Sequence, residues 1–354
     1  ALLEQPGELV PQACEGSKAK IKGAYRFFDN TRVDMETVIK PHVEATIGRL
    51  RQHRVVLAIQ DTTLLNYTAH PATDDLGPIN TRKDKARGLI LHDSLAFSEE
   101  GTPLGIVDVQ CWARDEKAAG KRYRRQQLPL EQKESLKWLK SYRRLSEIQR
   151  LCPETMLVSV ADREADIFDL FYEATRNPSG PQLLIRAEKS RKRPTEQGCL
   201  WEAMAQKTVV GFQQIEIPRK GNRPRRVARL AIRFASVTLR PPRGKGFTPV
   251  PIWAVYACEV TPPCGANSPV EWMLLTTVEV NTLEQALERM TWYARRWGIE
   301  VYHRTLKTGC RIEDRRLNNA ARLEACLAID MVVAWRIFYL TKLGRETPEV
   351  PCTV

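Results

Sequence analysis

Four side chains near residue 300 have types and a spacing that suit chemistry on a phosphodiester. Tyr293, Arg296, Glu300 and Lys307 follow one another at intervals of three, four and seven residues. At about 100° per residue, this spacing predicts one shared face of a helix. One acid, two cations and a phenol on such a face could hold a metal-bound phosphate ester. An amphipathic helix with mixed surface charges has the same spacing, so spacing alone leaves both interpretations open.

Two aspartates each follow a short apolar run that is typical of a buried strand. The run VVLAI at 55–59 leads through Gln60 to Asp61, and the run MLVSVA at 156–161 leads directly to Asp162. Ligands of open α/β sheets gather at the carboxyl ends of strands. We therefore expect both aspartates at one edge of a sheet.

Asp61, Asp162 and Glu300 would form a set of three convergent carboxylates. Without a counter-ion such carboxylates repel one another and take up protons, whereas hard oxygen ligands suit Mg²⁺ or Mn²⁺. Two such ions about 4 Å apart can activate a water or a 3′-hydroxyl and stabilise the leaving oxygen of a phosphoryl transfer. Residue type alone does not single out three acids from 42. Their positions after strands and on the helix face favour this choice.

The helix predicted at about 282–307 has an apolar stripe through which it should pack. Six side chains lie within about 80° of one another on a helical wheel. They are Leu283, Leu287, Met290, Ala294, Trp297 and Val301. Burial of this stripe would bring Glu300 to the edge of the sheet rather than to bulk water.

The positive charge of the sequence is concentrated in one segment. The 354 residues include 55 Lys+Arg and 42 Asp+Glu, a net charge of +13 that favours a polyanionic partner. Residues 186–250 contain 16 Lys/Arg and 4 Asp/Glu, which leaves 39 bases and 38 acids elsewhere. The runs SRKRP (190–194) and RKGNRPRR (219–226) could be solvated loops, but their concentration favours phosphate contact. The candidates in the second run are Arg223, Arg225 and Arg226.

Cysteine usage and hydropathy restrict the class of protein. Nine cysteines without a C-x-x-C pair, together with five histidines, argue against a structural zinc site. No apolar stretch is long enough to span a bilayer and no signal peptide opens the sequence. We expect a soluble cytoplasmic protein. The start at Ala1 and the end in PEVPCTV lead us to expect part of a longer chain.

The order of predicted elements indicates an α/β core that is interrupted by a β-rich insertion. Residues 1–16 should be a poorly ordered lead-in, and the helix that Asp34 caps should be interrupted near Pro41. The predicted helices cover 18–28, 34–51, 131–150, 162–174, about 282–307 and 315–341. The predicted strands cover 55–59, 89–97, 103–112, 156–161, 182–186, 208–217, 227–239, 250–260 and 272–278.

Several motifs resemble those of the DDE transposases of the insertion-sequence-four (IS-four) family, in the family's order and over about residues 15–340. They are EGSKAKIKGAYRF (15–27), AIQDTT (58–63), DKARG with His92 beyond it, ADREADI (161–167), LLIR (183–186), EWMLLT (271–276) and the Tyr293–Lys307 pattern. The last pattern and DREAD are the specific ones, whereas AIQDTT alone would be weak. For His92, a hydrogen-bonded position in the core is favoured over a role as hydrogen-bond partner of a metal ligand.

The resemblance implies an α/β fold with a ribonuclease-H-like core, a mixed five-stranded sheet flanked by helices, and an all-β insertion before the glutamate-bearing helix. The implied segments are an N-terminal helical, truncated DNA-binding region 1–53, core 54–188, basic insertion 189–280, core helices 281–342 and tail 343–354. Asp61, Asp162 and Glu300 would bind the metal ions. The implied DNA-binding residues are Tyr293, Arg296 and Lys307 on the terminal phosphates, Trp272 and Trp297 on a flipped base, and Arg186 beside them. Core packing remains an equal alternative for Trp297.

The expected activity is cut-and-paste transposition of double-stranded DNA by a nucleoid-associated enzyme. Two Mg²⁺ ions per active site, with Mn²⁺ able to substitute, would support hydrolysis at transposon ends and then strand transfer by the 3′-hydroxyl, with a hairpin intermediate. The expected partners are transposon-end and target DNA and a second copy in a synaptic homodimer, with no membrane and no small-molecule substrate. The alternatives are a catalytically silent DNA-binding or inhibitory fragment and a ribonuclease-H-like nuclease without strand transfer.

Overall fold

The chain divides into two units, of which the first is discontinuous in sequence. The computed structural model describes residues 1–79, 85–115, 133–217, 219, 224–262 and 269–349. Ala1–Thr155 and Trp297–Val354 form the first unit, and Met156–Arg296 form the second. The second unit therefore begins before the basic insertion, and the segment boundaries that the family resemblance implies stay a prediction.

Both units contain helices and strands. In chain order they are α1 Val10–Ala13, α2 Lys18–Phe28, α3 Met35–Leu50, β1 Val55–Asn66, β2 Gly77–Pro78, β3 Arg87–Ser98, β4 Pro103–Trp112, α4 Leu136–Leu151, β5 Met156–Ala161, α5 Phe168–Thr175, β6 Gln182–Arg186, β7 Pro194–Thr195, β8 Gly198–Cys199, α6 Leu200–Ala205, β9 Gly211–Ile217, β10 Arg226–Leu239, β11 Val250–Glu259, β12 Glu271–Thr276, α7 Leu283–Ala294, α8 Trp297–Arg304 and α9 Ala320–Glu346. A π-helical segment, Thr305–Gly309, follows α8 directly.

Strand β3 is the centre of the first unit. It pairs antiparallel with β1 on one side and with β4 on the other, and β2 pairs with its first residues. Every residue of β3 after Arg87 is buried, because helices α3 and α9 pack on β4, α4 packs on β3 and β4, and α8 packs on β1. This double cover explains why the strand is apolar with little alternation.

The helices at the N-terminus of the first unit differ from prediction in their extent, although the predicted cap of α3 is present. Asp34 accepts a hydrogen bond from the Thr37 amide at 2.7 Å and caps α3, as predicted. The interruption predicted near Pro41 is wrong, since α3 continues through that residue to Leu50. The lead-in prediction is also wrong, because α1 lies within residues 1–16 and buries Val10 and Ala13.

The second unit is a mixed sheet with short helices. Strands β5 and β6 pair in parallel, and β12, β11, β10 and β9 continue antiparallel from β6. Helix α5 packs on β6 and β11, while α6 and α7 pack on β10 and β11. Residues 189–280 contain strands β7 to β12, but helix α6 also lies there, so the all-β character that the resemblance implies for the insertion is wrong. Taken unit by unit, the fold is a mixed α/β arrangement of sheet and flanking helices.

The single helix predicted at 282–307 is wrong, and so is its packing stripe. Helix α7 ends at Ala294 and α8 begins at Trp297, with the Arg296 amide donating to the Tyr293 carbonyl at 3.0 Å. Of the six stripe residues Met290 is buried, and Trp297 is 64% exposed. The side chains that α7 and α8 do bury are Ala286, Arg289, Met290, Trp292, Tyr293, Ile299, Tyr302 and His303. The buried face of α7 and α8 therefore differs from the predicted stripe, and it contains the rings of Trp292, Tyr293 and Tyr302.

Candidate active site and DNA-binding residues

Asp61 lies in the middle of a strand rather than at its end. Strand β1 continues to Asn66 because β3 is long enough to pair with it throughout, and Asp61 stands opposite Asp93 in that register. The Asp61 carboxylate accepts a hydrogen bond from the Thr62 amide at 2.8 Å, and the residue is half-buried. The predicted strand end at this aspartate is therefore wrong.

Glu300 and Lys307 both come from segments that contact the strand of Asp61. Glu300 is half-buried in the first turn of α8, the helix that packs on β1. Lys307 lies in the π-helical segment, where its Nζ donates to the Leu64 carbonyl of β1 at 2.5 Å. The same Nζ is 3.9 Å from Glu313 Oε1. The first unit thus brings two of the predicted acids and one predicted phosphate ligand to one strand.

A buried acid–histidine pair lies next to these residues. His303 Nε2 is 2.7 Å from Asp93 Oδ1, and both side chains are almost fully enclosed. Burial alone would lower the pKa of His303, but the charge and hydrogen bond of Asp93, with a contribution from Asp61, outweigh burial and raise that pKa. Sequence reasoning missed this pair. Its signal was a histidine three residues after Glu300, on the same side of the helix.

His92 has the core role that the sequence favoured. Its ring is fully buried, with Nδ1 2.9 Å from Thr62 Oγ1 and its edge against the Trp138 ring at 4.6 Å between centroids. Burial holds the pKa of His92 well below its ordinary value, so the ring is neutral.

Asp162 follows β5 directly, as predicted, but the helix predicted to begin at Asp162 is wrong, since α5 begins only at Phe168. Its carboxylate accepts a hydrogen bond from the Glu164 amide at 2.8 Å and so caps the short 3₁₀ turn Arg163–Ala165. Burial raises the pKa of Asp162, and the neighbouring Glu164 adds to this, while Arg296 and Arg163 oppose it. A cation that approached this carboxylate would favour its charged form.

Two predicted DNA-binding residues of the second unit, Arg296 and Tyr293, interact electrostatically with Asp162, and two more are near Tyr293. Tyr293 is buried, and burial raises its pKa against the opposing charges of Arg296 and Arg186. Arg186 donates from Nη2 to the Glu271 carbonyl at 3.0 Å. Trp272 meets the Tyr293 ring edge-on at 5.5 Å between centroids and keeps part of its surface exposed. Cations and aromatic rings are the groups that hold phosphates and unstacked bases.

The arginines of the predicted phosphate track have acidic neighbours. Arg225 donates to Glu216 at 2.6 Å on the surface. Arg226 bonds Glu259 through both terminal nitrogens, with Nη2 at 3.0 Å from Oε2. Arg223 lies outside the described residues. Contact of these arginines with phosphate stays a prediction.

The donor chemistry of the three predicted metal ligands suits a hard divalent cation. Carboxylate oxygens are what Mg²⁺ and Mn²⁺ prefer, and Asp61 and Glu300 lie on elements of the first unit that pack together. Across the described parts of the chain, however, no three His, Cys, Asp or Glu side chains form a group that could hold a metal ion. The donors fit the ion in type, and a three-ligand group is not preformed.

Two protein-family models match segments of this chain. The family model described as "Transposase DDE domain" matches residues 134–329, a segment that contains Asp162, Glu300 and Lys307. The chain belongs to the DDE transposase family. A second model, "Transposase DNA-binding", matches residues 1–33 of this transposase. Asp61 lies outside both matched segments.

A solved structure is also similar to this DDE transposase. It is a cryo-EM structure of a piggyBac transposase synaptic complex with hairpin DNA, at 11% identity and a TM-score of 0.36. The similarity covers 95% of this chain and 62% of that one, so the chain spans less than two thirds of that transposase's length. No helix in the described segments is long and apolar enough to cross a membrane.

Proposed function

We propose that this protein is a cut-and-paste DNA transposase of the IS-four family, close to the transposon-five transposase, with a ribonuclease-H-like core. The observation that carries the proposal is the DDE-domain match over residues 134–329. Two of the three acids chosen from the sequence, Asp162 and Glu300, fall inside it. The DNA-binding match over residues 1–33 supports a nucleic-acid substrate.

Asp61, Asp162 and Glu300 are proposed as the residues that hold two Mg²⁺ ions, with Mn²⁺ able to replace them. Packing of α8 on β1 supports the grouping of Asp61 with Glu300. The bound ions would supply a polarised water, and later a polarised 3′-hydroxyl, together with charge stabilisation at the leaving oxygen. The contribution of the chain would be to hold Asp61 on β1, Glu300 on α8 and Asp162 directly after β5.

Lys307, Arg296 and Tyr293 are proposed to hold the terminal phosphates of the transposon end. The charges of Arg296 and Arg186 act on Tyr293, and Arg296 also acts on Asp162. This common electrostatic environment supports a role for these residues beside one acid. Release of Lys307 from the Leu64 carbonyl would free its three donors for phosphate oxygens.

Trp272, with Trp297, is proposed to receive a base that is flipped out near the transposon end, which would permit hairpin formation. Unstacking costs a few kcal/mol, and an aromatic slot returns part of that cost. Trp297 is 64% exposed, which supports a ring surface available to a base. The partly exposed ring of Trp272 beside Tyr293 offers a second surface.

The decisive test uses the isosteric variants Asp61→Asn, Asp162→Asn and Glu300→Gln on transposon-end DNA with Mg²⁺. We expect each to lose nicking by at least about 10³-fold, because a ligand carboxylate becomes a neutral amide. DNA binding in a gel shift should persist within a fewfold. Asp108→Asn, on β4 in the first unit, serves as a matched control for the change of charge. Retention of Mg²⁺-dependent nicking by any of the three variants would contradict the proposal.

The same assay separates the alternative functions. DNA binding without nicking by the unmodified chain would indicate a silent or inhibitory fragment. Nicking without joining of products to a target plasmid would indicate a nuclease without strand transfer. A synaptic homodimer is expected on paired ends, and sedimentation of the chain with pre-cut ends measures it.

A further inference from the structure

The buried pair of Asp93 and His303 has no part in the functions assigned so far. Both side chains are enclosed, and His303 Nε2 and Asp93 Oδ1 are 2.7 Å apart. Asp93 stands directly opposite Asp61 in the pairing of β3 with β1. His303 is three residues after Glu300 on α8. The pair therefore connects the helix that carries one predicted metal ligand with the strand that neighbours the other.

A second contact limits the position of the same helix. Gly298 lies against the Phe97 ring, and a Cβ added at Gly298 would be only 2.7 Å from Phe97 Cε1. Phe97 and Asp93 both belong to β3, four residues apart, while Gly298 and His303 are on either side of Glu300 in sequence. Gly298 and His303 both contact β3, at different points along α8. These two contacts restrict how the helix can rotate or shift relative to that strand. Glu300 lies between them.

Stability is a poor explanation for a buried ionisable pair at this position. Removing two such groups from water is costly, and an apolar pair of similar volume would often stabilise a fold equally well. In addition, Asp93 Oδ2 is buried and has no hydrogen-bond partner within the described part of the chain. Because the interaction leaves one buried acceptor unsatisfied, it is better explained by the orientation that it imposes on α8 than by a contribution to the stability of the fold.

We propose that Asp93 and His303 are positioning residues whose hydrogen bond sets α8 at the rotation in which Glu300 faces the same cation as Asp61. This inference rests on the proposed function, because it concerns the metal ligands named there. Without the bond, α8 stays packed on β1 through its apolar residues, but Glu300 samples several directions. The consequence is a weaker hold on the metal ion with little change in DNA affinity.

The experiment compares His303→Leu, which removes the bond, with His303→Gln, whose Nε2 can still donate to Asp93. Mn²⁺ binding to the protein–DNA complex is measured from the decrease in the electron paramagnetic resonance signal of the free ion. Nicking activity and DNA affinity by gel shift are measured in parallel. Removal of a group that orients a metal ligand typically costs about 10–100-fold in metal affinity. We expect that loss for His303→Leu, near-normal Mn²⁺ binding for His303→Gln, and unchanged DNA affinity for both.

Controls keep this inference separable from the proposed function. Asp108→Asn removes a carboxylate on β4 that accepts a hydrogen bond from Ser141 Oγ, and it should leave Mn²⁺ affinity unchanged. If His303→Leu does not fold, His303→Asn takes its place, since its shorter amide does not reach Asp93. Nicking by the unmodified chain with equal Mn²⁺ affinity in the bond-deleting and bond-keeping variants would overturn the inference alone. Absence of any metal-dependent nicking in the unmodified chain would overturn the proposed function.

Discussion

The two units contribute different kinds of groups to the proposed chemistry. In the first unit, Asp61 and Glu300 lie on a long strand and a helix that pack together, with a buried ionisable pair beside them. In the second unit, Asp162 lies in a turn after its strand, among arginines and aromatic rings. The basic segment 186–250, which supplies almost all the net charge, also belongs to the second unit. The first unit thus holds two of the proposed metal ligands on packed regular elements, whereas in the second unit the third proposed ligand lies among cationic and aromatic side chains.

Each unit also contains its own buried ion pair. Arg315 and Asp330 make two bonds, at 2.9 Å and 2.6 Å, and Arg315 also donates to the Glu8 carbonyl near the N-terminus. In the second unit Arg193 bonds Asp166, which in turn accepts from the Glu188 amide at 2.9 Å. Both pairs connect segments that are distant in sequence, so each should hold the loops of its own unit.

The largest expected effect comes from breaking these pairs one at a time. Asp330→Ala and Asp166→Ala each leave a buried arginine without its carboxylate, which typically costs about 3–5 kcal/mol. We expect the free energy of unfolding to fall by that amount. Hydrogen exchange should show loss of protection first in the first unit for Asp330→Ala and in the second for Asp166→Ala. Equal loss across both units for either variant would mean that the units do not unfold separately.

A smaller effect should distinguish the first unit by its response to pH. Burial raises the pKa of Glu324, on α9, to about 7, so the folded protein keeps a proton that the unfolded chain releases near pH 4.5. The associated stability is complete below about pH 4.5 and is lost as pH rises through about 7. Glu324→Gln should therefore match the unmodified protein at pH 4.5 and exceed it at pH 8, by on the order of 2 kcal/mol after allowance for solvent screening.

Denaturant titrations at the two pH values measure this difference. Glu147, an exposed acid on α4 of the same unit, provides the matched control, and Glu147→Gln should change the free energy of unfolding by a similar amount at the two pH values. A gain of equal size at both pH values for Glu324→Gln would show that the carboxylate is not protonated in the folded state.

The sequence predicted the elements whose signals are local. The bounds of α2, β4 and β6 agree with prediction to the residue, because caps, turn residues and apolar runs act over only a few positions. Asp162 at the end of β5 has the same kind of signal. For these elements the neighbouring residues in the chain decide the structure, and sequence reasoning was sufficient.

Other errors arise where a distant partner decides the structure. Strand β1 continues beyond Asp61 because β3 pairs with it as far as Asn66. The residues near Asp61 give no indication of this pairing. The wheel for 282–307 assumed one unbroken helix, whereas the break after Ala294 and the π-helical turn at Thr305 alter the phase. The Asp93–His303 bond joins residues 210 positions apart. Local periodicity contains no information about such a contact.

The smallest expected effect compares the two tryptophans proposed to stack on DNA. Trp297, in the first unit, is 64% exposed, so Trp297→Ala should change the free energy of unfolding by less than about 0.5 kcal/mol. Trp272, in the second unit, packs against Tyr293, and Trp272→Ala should cost about 1–2 kcal/mol, since an aromatic pair and buried ring area are lost. Denaturant unfolding gives both values, and 2-aminopurine fluorescence at the transposon end reports stacking. If only Trp272→Ala abolished quenching, the base would stack in the second unit alone, and Trp297 would lose its proposed role. Loss of quenching in both variants would support the proposed stacking role of both tryptophans.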